Sequence, residues 1–161
     1  MIRLIHVAAR FLTRVAAVFL LAMVAINVLD VGLRSGFNAP IFGTHEVVEY
    51  FLAAVAFLAI PEAFLRDQHI TIELIDQVVP KRVVDVLQAL GTLAALVFVG
   101  LLAYHMISPA MDFIEFNEVT MDLHLPVIWK ASLILLGVAV SVIAAAVIFV
   151  RDMSAALGRS R

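Results

Sequence analysis

Four stretches of this chain are too long and too apolar to be solvated by water. Residues 15–29, 47–60, 86–104 and 131–150 contain one charged side chain between them, Glu49. Taken as helix, residues 11–33 reach roughly 34 Å at 1.5 Å per residue, enough for a hydrocarbon core of about 30 Å. Between the second and third stretches lies Arg66-Asp67-Gln68-His69-Ile70-Thr71-Ile72-Glu73-Leu74, which is too charged to sit in hydrocarbon. It must be a turn at a membrane surface, joining one helical hairpin to the next.

Composition agrees. The 161 residues are 64% hydrophobic and 15% charged, where an ordinary soluble domain is about half apolar and a quarter charged. A chain this short has too little interior to hide the excess, so lipid must cover it. The net charge of -2 gives no basic surface for nucleic acid. With no cysteine, disulfides, thiolate metal sites and Cys nucleophiles are excluded. The expected fold is all-α and integral to the membrane, one compact transmembrane bundle over residues 1–161. Its spans fall at about 11–33, 44–65, 81–108 and 127–150.

The basic, then apolar, beginning of the chain is also the pattern of a signal peptide. The apolar run is longer than a usual signal core and no A-x-A site follows, so it is read as a retained first span. Ser35-Gly36-Phe37-Asn38-Ala39-Pro40 is a turn by composition. Thr44 is the expected cap of the second span, with Glu46 in its first turn. Pro61 is a candidate kink. After the bridge, Ile75, Val78 and Val79 share a face opposite Glu73, Asp76 and Gln77, the pattern of a short helix lying in the membrane surface. Pro109 is expected to disturb the end of span three, leaving residues 106–126 as a polar connection. That connection holds Asp112, Glu115, Glu118 and Asp122 and no Lys or Arg.

Orientation follows from the basic residues. Placing both termini in the cytoplasm puts Arg3, Arg10, Arg14, Arg66, Lys81, Arg82, Arg151, Arg159 and Arg161 inside, against Arg34 and Lys130 outside.

A transporter or pump working alone needs ionisable groups near mid-membrane, where each charge costs about 2.5–3.5 kcal/mol on insertion scales. The centres of spans one, three and four have none, and no pair of spans is broken by Gly and Pro as in repeat-built transporters. The chain is therefore expected not to carry a solute path itself. His45 and His105 fall toward the outer ends of different spans, as an axial pair for a b-type haem would. Equally they are interfacial side chains bonded to water or headgroups. Gly91 with Ala95, and Gly137 with Ser141, are small pairs four apart that allow close helix approach, within the bundle or to a partner. The acidic outer connection either steers a soluble partner or simply lacks Lys and Arg.

Several strings carry a family resemblance. Arg34-Ser35-Gly36-Phe37-Asn38-Ala39-Pro40-Ile41, Gly43-Thr44-His45-Glu46, the Arg66–Leu74 bridge and Val119-Thr120-Met121-Asp122-Leu123-His124-Leu125-Pro126 occur in order along a four-span layout. The chain resembles the small, DctQ-like membrane subunit of tripartite ATP-independent periplasmic (TRAP) transporters. Many members have two adjacent acids at the start of span two and an Arg a turn later, where this chain has His45-Glu46 and Glu49. Pro61 also replaces a small residue found in many. Glu46, Arg66 and His69 match the family's pattern, and Glu73 occupies its bridge acid.

The resemblance implies a non-enzymatic scaffold subunit in a bacterial inner membrane, without a cofactor. Its partners would be a large membrane subunit and a periplasmic solute-binding protein. The large subunit would move a solute, often an organic acid, by an elevator motion coupled to an ion gradient. The residues expected at an interface or in a structural role are Glu46, Arg66, His69, Glu73, Gly137 and Ser141. The alternative is a haem-binding or structural membrane anchor of a redox complex.

Overall fold

The computed structural model describes residues 2–66 and 81–157. They form four helices: α1 (Ile2–Phe37), α2 (Thr44–Leu65), α3 (Lys81–Glu115) and α4 (Val127–Ala156). Each has a window long and apolar enough to cross a membrane. The expected surface helix, with His69 and Glu73, lies outside the described residues.

The helices stand in an open row, not a closed bundle. The order across it is α1, α2, α4, α3, and among the described residues α3 touches neither α1 nor α2. The two edge helices each bury one narrow seam. On α1 it runs through Ala9, Leu12, Ala16 and Phe19 to Met23, Ile26 and Asp30; on α3 through Ala89, Thr92, Leu96, Val99, Ala103, Met106, Ala110 and Phe113. Steps of three and four alternate, the 3.5-residue repeat of helices packed nearly in line. Outside the seam α1 is bare: Val7, Phe11, Val18, Leu21, Val28 and Val31 are all exposed. In water such an edge would be driven to close. Lipid is as apolar as these side chains, so nothing drives closure.

The inner helices are buried on two sides, which small residues permit. On α2, Ala54 and Leu58 pack with Ala16, and Leu133 of α4 reaches the same cluster. On α4, Ala131, Val138, Ser141, Ala144, Ala145 and Ile148 are buried. A Cβ built on Gly137 would fall inside the Phe57 carbonyl, so the α2 and α4 backbones meet there. Gly137 and Ser141 thus lie on internal packing, with Ser141 Oγ donating to the Gly137 carbonyl at 2.7 Å. Gly91, by contrast, has nothing within 4 Å of a built Cβ. The Gly91–Ala95 pair is no close contact within this chain.

Two prolines lie inside helices without ending them. Pro61 is buried in α2, which runs on to Leu65, and α3 passes Pro109 to Glu115. Proline removes one backbone hydrogen bond. At Pro109 the neighbouring seam residues Met106, Ala110 and Phe113 hold the helix against α4. The polar connection is accordingly residues 116–126, shorter than expected.

Candidate functional site

Chemistry-bearing side chains gather at the two ends of the row. At the end holding the connections 38–43 and 116–126, Asp30 completes the α1 seam. It is buried, and its Oδ2 accepts from Arg34 Nη2 at 2.7 Å while Oδ1 accepts the Ile41 N–H at 2.8 Å. The Thr44 hydroxyl donates to the Ile41 carbonyl at 2.9 Å and lies 3.4 Å from Asp30 Oδ1. Thr44 is thus not a helix cap. The cap position is Gly43, at φ 74, and no side chain bonds there. Glycine is required twice over: the conformation is left-handed, and a Cβ would collide with the Leu123 side chain.

Glu46 does not serve its own helix terminus. Its two carboxylate oxygens accept the Asp122 and Leu123 backbone N–H groups at 2.7 and 2.8 Å. One turn on, Tyr50 donates its hydroxyl to the Pro126 carbonyl at 2.9 Å. Lys130 reaches back from α4 to Glu49 at 2.6 Å and lies over the Tyr50 ring. Residues 116–126 are built to receive these contacts. Asn117, in the left-handed region, closes α3 with Glu118 N–H bonded to the Phe113 carbonyl. Thr120 and Leu125 then pair across a tight turn, and Val119 and Pro126 form an isolated bridge. The arrangement is a lock, tying α1, α2, α4 and both connections together at this end.

At the opposite end, Glu62 is buried and accepts from Arg66 Nε and Nη2 at 2.8 and 2.6 Å. His6, Ala9 and Arg10 face this pair across the α1–α2 seam and enclose a cavity of about 310 Å³ with it. On α4, Asp152 is buried beside Arg151.

Of the six residues singled out from sequence, Glu46 falls in the lock, Arg66 in the ion pair, and Gly137 and Ser141 on the α2–α4 contact. His69 and Glu73 lie outside the described residues. His45 and His105 are on α2 and α3, which make no contact with each other among the described residues. Sequence reading missed Asp30 and Glu62 as organising acids. The available signal was the i,i+4 spacing of Asp30–Arg34 and Glu62–Arg66, each at the edge of an apolar run.

The described residues are thus four spanning-length helices with locked ends, arranged as an open row. Over residues 23–155 the chain matches the family model of the tripartite ATP-independent periplasmic transporters, DctQ component. The chain belongs to the DctQ family. The match begins in the first span and runs almost to the end of α4, taking in the Asp30–Glu46 end of the row and the Glu62–Arg66 pair. Comparison with curated proteins finds no match. As a DctQ component, the chain is the small membrane component of a TRAP transporter. That membership weighs against the redox-anchor alternative.

Proposed function

We propose that this DctQ chain is a scaffold: a small, non-catalytic subunit that packs beside the large membrane subunit and holds it steady. The large subunit moves an organic acid, handed over by the periplasmic binding protein and driven by an ion gradient. The carrying observation is family membership joined to four rods with no ionisable group at the centres of α1, α3 and α4. A scaffold needs stiffness and lipid-compatible surface, and a solute path needs buried polarity. The locked connections supply the stiffness. The open edges of the row leave apolar helix faces for a partner in the same membrane. Bacterial inner membrane is the location this implies, with Arg66, His69 and Glu73 at the inner surface.

Coexpressed in mild detergent, the tagged chain is expected to retain a large polytopic membrane protein encoded beside it, at near-equal amounts. Elution alone, with uptake intact in a strain lacking this chain, would dismiss the scaffold reading.

Both termini lie in the cytoplasm on this reading, because the basic residues do. The absence of cysteine makes single-cysteine mapping direct. Met121 is 94% exposed, so a cysteine there should label in intact cells with an impermeant maleimide. A cysteine at Ser154 should label only after lysis. The reverse pattern would invert the topology.

A further inference from the structure

The cavity between the first turns of α1 and the last turn of α2 has no part in the lock or in the α2–α4 contact. Ala9, fully buried, forms its floor where the two helices approach. Arg10, Arg66, His6, Leu65 and Glu62 line it as well. Neither guanidinium is loose. Arg10 Nε donates to the His6 carbonyl at 3.3 Å, which leaves its terminal nitrogens directed away from that bond. Arg66 is held through Nε and Nη2 by one oxygen of Glu62. Among the residues that line this cavity of about 310 Å³, two guanidiniums stand against one carboxylate. Val7 and Phe11 lie on the outer face of α1, turned away from the recess, and the apolar side chains that line it are Ala9 and Leu65. A cationic recess at the ends of two helices of spanning length, where headgroups meet hydrocarbon, fits a molecule with an anionic head and a hydrocarbon tail.

We propose that this recess is a binding site for the headgroup of an anionic phospholipid, its phosphate held by Arg10 and Arg66 and its acyl chains in the surrounding bilayer. Basic pockets between spans at the cytoplasmic surface are where such headgroups are held. Arginine suits the task because its planar fork takes two phosphate oxygens at once. The bound lipid staples α1 to α2 at the end remote from the lock. The site rests on the cytoplasmic placement of this end proposed above, and its test needs neither partner nor transport.

The purified full chain is placed in phosphatidylcholine vesicles containing spin-labelled phosphatidylglycerol or spin-labelled phosphatidylcholine, and the motionally restricted fraction is read. A preference for phosphatidylglycerol of about five-fold is expected, from roughly one basic contact's worth of selectivity. Arg10→Gln should bring it close to one, while Arg14→Gln, the same charge change one turn along α1, should leave most of it. Arg66→Lys, which keeps the charge and the Glu62 partner but loses the fork, should weaken it in part. Equal losses in Arg10→Gln and Arg14→Gln would show a diffuse field and overturn the site. Displacement of the labelled lipid by millimolar inorganic phosphate would show an anion site without lipid selectivity, and would also overturn it.

Discussion

Gly137→Leu is expected to break the row between α2 and α4, whereas Gly91→Leu leaves it standing. The two substitutions add the same side chain to the same kind of apolar helix. They differ in what the side chain meets. At Gly137 the first added carbon already lands on the Phe57 carbonyl, which is backbone in the middle of α2 and has no rotamer to change. Relief requires the helices to part, and parting uncovers Ala54, Leu58, Val138 and Ser141 together. Overpacking a rigid contact costs typically 1–3 kcal/mol, occasionally more, and this contact has the least room to yield. A large fall in the detergent melting temperature, with loss of monodispersity, is the expected reading. At Gly91 nothing lies within 4 Å, and replacing a helical glycine gains roughly 0.5–1 kcal/mol of backbone entropy. Gly91→Leu should melt no lower than the parent. Equal behaviour of the two would mean that the α2–α4 contact is not the spine of the fold.

Asp30→Ala should do the most damage among the polar positions, and more than Arg34→Ala. Asp30 accepts the Ile41 N–H within a buried corner, so its removal leaves that donor without its partner. Arg34→Ala removes a side chain that is 57% exposed, and Asp30 keeps the Ile41 N–H and the nearby Thr44 hydroxyl. The 38–43 connection is pinned through the Ile41 N–H alone among these bonds, so Asp30→Ala should open it to added protease and lower the melting temperature. Arg34→Ala should change both little. If Arg34→Ala proved the more damaging, the exposed ion pair and not the buried backbone bond would be organising that end.

These two cases also mark how far sequence reading reached. The four rods were legible because lipid imposes one requirement, that backbone polar groups be satisfied within each span, and long uncharged runs announce it. Glu46 was legible as important through its string Gly43-Thr44-His45-Glu46, but its partners were not. A carboxylate at a helix start reads as a partner for the dipole, and only the fold brings Asp122 and Leu123 to it. Thr44 misled for the same reason: a capping residue at a helix start is a local expectation, and Asp30 and Ile41 outbid it. Pro109 misled because proline's cost is local, whereas the seam that carries α3 past it spans many turns.

By itself, then, the sequence determined the solvent, the four helices of spanning length and the family. Each of these depends on chemistry repeated along the chain, which needs no distant partner to be read. The tertiary structure alone decided that the helices form an open row, that Gly137 and not Gly91 is a backbone contact, and that Asp30, Glu46 and Glu62 lock the ends. Those outcomes depend on which faces meet. In a membrane almost every helix face is apolar, so hydropathy cannot distinguish a face turned to a neighbour from one turned to lipid.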